Sequence, residues 1–486
     1  RLRPLRLAAA SLVAGSPERL LIAPQDIRTS DPTVAADIYA GVFIFSGQIV
    51  EVGGRSPFEV EPPSEEWARA LHGFGWLRHL RAADSALSRS NARALVDDFI
   101  RSGGRLPAIA WRPEVAARRL ISWLSQSPLI LEGCDRDFYA RFLKALARLV
   151  RFVRITQAEQ PEGLPRLLGA MAQVAAGVSI AGQDRQLRAA SRLLDQELAR
   201  QIFPDGGHVS RDPTALLDLL VDLLPLRQAL SARGVSPSPT MMGAIDRMMP
   251  MLRFFRLGDG TFARFNGMSM ATRGLLATVL AYDDAHGAAP LNASHSGYQR
   301  LEGGDVTVIV DTGPPPPAAA STGAHAGCLS FELGTRRNLV VVNCGAPPPT
   351  HPEWREPSRE TAAHSTAVVE DTSSAVFLEN ERLVDLLGPV IIDGPRHVPV
   401  HREDGPGLTL VSASHDGYAE RFGIVHERTL ALAASGERLD GIDRFAVAGA
   451  GPRADADRFA IRFHLHPTAR VSRSTGGDAV LIVFPD

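Results

Sequence analysis

Cysteine is scarce, with three residues in 486, and Cys134, Cys328 and Cys344 show no CxxC spacing. Neither a zinc knuckle nor a disulfide framework is suggested. Cys328 and Cys344 lie close enough in sequence to pair or to act as soft ligands, but free thiols are the expectation. Long apolar runs are missing too, and none reaches the ~20 residues a membrane helix requires. Basic excess is absent: a formal net charge of −2 and a pI near 6.8 argue against a dedicated nucleic-acid binder. With 45% hydrophobic and 22% charged residues, the composition is that of a globular protein without a disorder signature. The length suggests two or three domains.

The first residues, RLRPLRLAAASLVAGSP, superficially match a secretory leader and are read instead as an amphipathic helix ending near Gly15. Residues 31–63 are turn-rich and partly strand-like, which predicts an extended arm over a helical body. Ser64-Glu65-Glu66-Trp67 then gives a helix start with acids in its first turn. Helical periodicity recurs to about Tyr282, punctuated by Gly, Pro and Asp at the joints. Short antiparallel pairs without a strict repeat favour an α/α toroid over a solenoid. Near Ser296 the pattern changes to short alternating segments such as DVTVIVDTG, NLVVVNCG and GIVHERTLALAA, the signature of an antiparallel β-sandwich. The expected organisation is an N-terminal helix and arm (1–63), an (α/α) toroid (64–286) and an antiparallel β-sandwich (287–486).

Within residues 324–366, His325, Asn343 and His364 arrive on segments read as neighbouring strands. If they converge they make a metal or catalytic site, and otherwise a polar brace. In the helical half, FPDGGHVSRDP carries His208 and Arg211 behind two glycines, which let a backbone turn sharply and approach a ligand. Histidine titrates near neutrality and the arginine fork can clamp a carboxylate. Tyr298 and Tyr418, two of only five tyrosines, follow glycine and could donate a proton; His401 and His415 share that ambiguity. Residues 251–268 combine Arg253, Arg256, Arg264 and Asn266 with four phenylalanines, a candidate wall for an anionic sugar. Trp67, Trp76 and Trp111 are expected in the core.

The toroid-then-sandwich order resembles the heparinase II/III-like polysaccharide lyases and related alginate lyases. SGYQRLEGGDVTVIVD is similar to the phrase opening their β domain, AHAGCLSFEL to their HxHAD…SF strand, NLVVVNCG to LLxDxG, and TAAHSTAVVED to TxAHNTVxVDG. SHDGY followed by IVHERTL is also in character, and FPDGGHVSRDP resembles their cleft-facing DGG segment. The resemblance implies β-elimination on an acidic, uronate-containing glycan. That chemistry neutralises the substrate carboxylate, removes the neighbouring proton and protonates the leaving oxygen. His208, Arg211, His325 and Tyr298 are then the catalytic candidates. Arg264, Asn266, Tyr418 and His415 would bind substrate, and His325, Asn343 and His364 would hold zinc, with no organic cofactor. The chain departs from the pattern at Gly323, Gly327 and Asn343, where the family has His, an acid and Asp, and it lacks the tyrosine closing the DGG motif. Those departures favour the alternative of a non-catalytic glycan-binding or envelope-biogenesis protein on the same fold. A hydrolase would need facing carboxylates, for which Asp205 and Asp212 are the tempting pair. The partner expected is an acidic glycan, not nucleic acid or a membrane span. A cytoplasmic or periplasmic setting and a homodimer are both compatible with the sequence.

Overall fold

The computed structural model describes residues 19–268, 273–283, 287–448 and 456–485. The helix expected over the first 17 residues lies outside them. The arm contains a short helix, α1 (Thr33–Tyr39), and a hairpin of β1 (Val42–Phe45) with β2 (Gln48–Glu51). It packs through Phe43, whose ring meets Trp76 edge-on at 6.2 Å. The run WARALHGFGWLRHLRAA, whose pattern reads as one helix continuing from the Ser64 start, is two helices, α2 (Glu65–Gly73) and α3 (Leu77–Ala83). Phe74 takes a left-handed conformation between them and buries its ring against Trp76 and Trp123.

The helical body continues through α4 (Ala86–Ser102), α5 (Pro113–Ser125), α6 (Ser127–Leu131), α7 (Arg136–Ile155), α8 (Leu164–Ser179), α9 (Asp184–Gln201), α10 (Pro213–Ala232), α11 (Pro239–Phe255) and α12 (Arg273–Leu280). Each apolar stripe finds a neighbour: α8 packs on α5, α9 and α10, and α10 on α11. Asp212 caps α10 by accepting the Thr214 N–H at 2.8 Å, with Pro213 in the first turn where its missing N–H costs nothing. Trp67 and Trp76 are buried in this core, Trp111 packs against it, and the four phenylalanines of residues 251–268 (Phe254, Phe255, Phe262, Phe265) are buried in it. They therefore form no sugar-facing wall. No helix among the described residues is long and apolar enough to cross a membrane.

The C-terminal part is built from antiparallel sheets. One holds β3 (Asn292–Ala293), β4 (Tyr298–Gly303), β5 (Val306–Asp311), β6 (Phe331–Gly334) and β7 (Leu339–Val341). A second, after β8 (Ala367–Val369), β9 (Val376–Phe377) and β10 (Ile391–Asp393), holds β11 (Val400–Asp404), β12 (Leu408–Tyr418), β13 (Ile424–Ala433) and β14 (Leu439–Val447). Along β13 burial alternates residue by residue, as period two requires of a half-covered strand. Leu301, Val308, Val310 and Phe331 from the first sheet meet Val411, Leu430 and Leu432 from the second, which makes the sandwich core.

Candidate functional site

The helical body and the first sheet meet at the DGG turn. Gly206 has φ +94°, and a Cβ there would stand 2.0 Å from the Arg247 carbonyl oxygen; one on Gly207 would stand 1.9 Å from Ser296 Oγ. The two glycines thus permit a close approach to the protein itself rather than to a ligand. Asp205 fixes that approach by accepting Ser296 N–H and Ser296 Oγ–H, each at 2.7 Å. Its carboxylate is occupied there and Asp212 caps a helix, so the two do not form a facing hydrolytic pair.

Arg211, 6% exposed and left-handed at φ +59°, crosses the same junction. Its Nε donates to Ser296 O, Nη1 to Gly313 O and Pro314 O, and Nη2 to Gly297 O and Asp311 Oδ1. A guanidinium has five N–H donors, and five acceptors are present. Burial alone would lower its pKa, but the Asp311 charge outweighs that and raises it. The side chain therefore stays cationic with no donor left for a substrate carboxylate. Tyr298, fully buried, lies under the guanidinium at 4.7 Å and donates its hydroxyl to Arg211 O at 2.7 Å. Asn266 Nδ2 donates to Tyr298 Oη and Asp311 Oδ2, and its Oδ1 accepts the His325 N–H. Burial pushes the Tyr298 phenol further up. His208 is also enclosed at 2% exposure: its Nδ1 accepts from Ser210, and its Nε2 faces Gln201 Oε1 at 3.0 Å. Burial lowers its pKa to about 3, so it is neutral, and neither ring nitrogen is free.

His325 and His364 do come together. His364 Nδ1 lies 2.7 Å from Glu360 O and must carry the proton, which makes its Nε2 the acceptor for His325 Nδ1–H at 3.1 Å. The network leaves His325 Nε2 as an unprotonated ring nitrogen without a hydrogen bond among the described residues. Burial lowers His325 well below the usual histidine value and His364 to about 4.

Asn343 does not complete a cation site. Its Oδ1 accepts Ser365 N–H at 3.1 Å and its Nδ2 is buried without a partner. At Gly327, where the family carries an acid, a Cβ would stand 2.8 Å from His364 Cδ2. Among the described residues no group of three His, Cys, Asp or Glu side chains is placed to hold a metal. Two neutral imidazoles bonded to each other and an amide oxygen already accepting Ser365 N–H are a donor set that does not fit a divalent cation.

Arg264 is half-buried and its guanidinium forms no hydrogen bond or ion pair among the described residues, so it keeps a free positive charge beside Glu332 and Cys344. The other predicted residues sit elsewhere. His415 and Tyr418, each 1% exposed, belong to β12 inside the sandwich and have no open face for substrate. Tyr418 donates to Ala367 O, and His415 leads through His426 to Asp443, which Arg428 also holds. His401 is exposed beside Glu403. All three cysteines are free.

Two residues of the junction escaped the sequence reading. Asp311 is the counter-charge of Arg211, detectable as the acid closing DVTVIVD once a buried arginine needs a partner. Glu332, 1% exposed, accepts Asn343 N–H through one oxygen, and its other oxygen is buried without a hydrogen bond of good geometry, although the Arg264 backbone N–H is near enough to favour the charged form. Burial raises it to about 7. Its place inside the apolar SFEL strand was the available signal.

An (α/α) helical body followed by an antiparallel sandwich is the architecture this chain shares with solved heparinase structures. The chain aligns with a solved structure of heparinase III at a TM-score of 0.72 and 15% identity, over 98% of this chain and 79% of that one. A mutant of heparan sulfate lyase HepC from Pedobacter heparinus gives a TM-score of 0.62 and 15% identity, over 99% and 78%. The family model described as heparinase II/III-like, C-terminal, matches residues 285–486. FtsZ-localized protein C of Caulobacter vibrioides is 36% identical over 481 residues, 96% of this chain and 81% of that protein. The chain belongs to the heparinase II/III-like family.

Proposed function

We propose that this protein binds an acidic, uronate-containing glycan on the lyase fold without cleaving it, in the service of envelope biogenesis. The observation that carries this reading is the state of Arg211, whose donors all go to the protein itself. Elimination needs a group that neutralises the substrate carboxylate and a base within reach of the adjacent proton. Arg211 and His208 supply neither, while Arg264 keeps a charge that suits binding. The name of the Caulobacter relative supports a place in the division machinery, so recruitment to FtsZ is part of the proposal.

The test is incubation with a panel of uronate polymers, following both retention of the polymer and absorbance of an unsaturated product. Retention without product is expected. Product on any polymer would overturn the non-catalytic half, and failure to retain any of them would overturn the glycan half.

One observation favours a second reading, retained lyase chemistry. His325 Nε2 ends a relay that begins at Glu360 O, so a neutral base is held in a fixed orientation. Under that reading product forms with the wild type and disappears in His325→Ala, while polymer retention persists.

A further inference from the structure

A cavity of about 650 Å³ opens beside the Arg211 junction, between Phe203 and Val209 of the helical body and the Pro314–Pro317 run, with Val398 and Val400 across from it. That volume is ordinary for a small-molecule site. Of the catalytic and metal candidates read from the sequence, only Arg211 lines it.

Its charge balance narrows what could occupy it. The two cationic side chains in its wall are Arg211 and Arg402. Arg211 is saturated, with Asp311 as its counter-charge. Arg402 is paired as well: its Nε and Nη2 bond the Asp404 carboxylate, which balances its charge, and its Nη1 donates to Leu291 O, Gln299 Oε1 and Arg300 O. An anion entering the cavity would meet no unneutralised positive charge and would lose its hydration. What the wall does offer is neutral hydrogen bonding. Thr312, 3% exposed, keeps its hydroxyl without a partner although the atom is buried. A buried hydroxyl in that state is costly, and such groups ordinarily have a partner. Ser294, His295 and Asn292 stand at the exposed rim and add donors and acceptors, and the proline and valine side chains supply an apolar floor.

From these observations we infer that the cavity is a binding site for an uncharged, hydroxyl-rich ligand of sugar size, held by Thr312 Oγ and distinct from any surface that takes an acidic polymer. A hydroxylated ring can both donate to and accept from the Thr312 hydroxyl while laying its C–H face on the prolines. Because helical body and sandwich both contribute to the wall, an occupant would tie the two together.

Calorimetric titration of the full chain with glucose, N-acetylglucosamine and glucuronate tests this, using the wild type, Thr312→Val and Ser294→Trp. Thr312→Val keeps shape and removes the hydroxyl. Ser294→Trp, at an exposed rim position, fills the opening without touching the core. At least one neutral sugar should bind the wild type, about fivefold to tenfold weaker in Thr312→Val and undetectably in Ser294→Trp, with glucuronate at least tenfold weaker than the neutral sugar. Uronate-polymer retention should stay the same in all three proteins, which separates this site from the acidic-glycan reading. The inference is overturned if neither neutral sugar binds, if binding is equal in wild type and both variants, or if glucuronate binds as well as the neutral sugars.

Discussion

Two clusters of buried polar side chains lie near each other at the junction of helices and sheet, and they are finished to different degrees. Around Arg211 each guanidinium N–H has an acceptor, Tyr298 and Asn266 are both bonded, and Asp205 closes the DGG turn onto Ser296. Around Asn343 the accounting is open: Asn343 Nδ2 and Glu332 Oε2 are buried without partners, and His325 Nε2 ends a relay with nothing beyond it. A fully satisfied polar network rigidifies and specifies a structure, whereas a partly satisfied one stores cost that folding alone does not justify. The first cluster therefore reads as the bolt between the two parts of the molecule. The second is where polar atoms of Asn343 and Glu332 stay buried without partners, although at Gly327 the His364 ring already fills the space a side chain would take.

The sharpest way to break this comparison is to remove the bolt. Arg211→Met leaves Asp311 buried and unpaired, which should cost about 3–5 kcal/mol in chemical denaturation. Adding Asp311→Leu should recover a substantial part of that loss, because the stranded charge, not the missing contact, dominates the cost. A loss below about 1 kcal/mol would mean the network is decorative. Next in size is an acid effect. His208 and His72 are held near 3 and His364 near 4 by burial, against about 6.5 when unfolded. Between those values the unfolded chain binds more protons, so stability is full above about pH 6.5 and falls as pH drops towards 3–4, by roughly 1.4 kcal/mol per pH unit for each histidine well inside the window. A flat stability profile between pH 6.5 and 4.5 would contradict the enclosure of these rings. His208→Ala should cost about 2–3 kcal/mol through lost packing and an unpaired Gln201, and leave polymer retention unaltered. A fall in retention with fold preserved would return His208 to the binding surface.

Much of the architecture was legible because it depends on periodicity. Alternation in GIVHERTLALAA marked a half-buried strand, and stripes such as that of Arg136–Ile155 marked helices. Phe74 was not legible as a break, since only the packing of its ring justifies a left-handed residue inside an apparently continuous helix. The candidate site was legible as a set of residues and not as a set of states. Sequence offered Arg211, Tyr298 and Asn266 as candidates for one site, but could not show that the Arg211 donors are consumed by carbonyls of Ser296, Gly297, Gly313 and Pro314, 85 to 103 residues away, or that Tyr298 and Asn266 donate within the same network. Histidines read as titrating near neutrality are neutral because burial, invisible in the motif, moves them. His325 and His364 could be paired from strand order, whereas the direction in which Asn343 points could not.

The smallest effect concerns Glu332, and it sharpens the comparison from the unfinished side. Its folded value near 7 lies above the 4.5 of a free glutamate, so between those values the folded state holds the extra proton and stability falls as pH rises through that window. Glu332→Gln keeps an acceptor for Asn343 N–H and removes the titration. The variant should therefore match the wild type below about pH 4.5, gain on it up to about pH 7, and hold a constant lead above, of roughly 1–2 kcal/mol once hydration of the buried oxygen is allowed for. This slope opposes that of the histidines, so the difference between the two proteins isolates it. A Glu332→Gln variant less stable than the wild type at pH 8 would show that the ionised carboxylate has a favourable partner in solution. The nearest charge able to fill that role is Arg264, and in that case the second cluster would be as complete as the first.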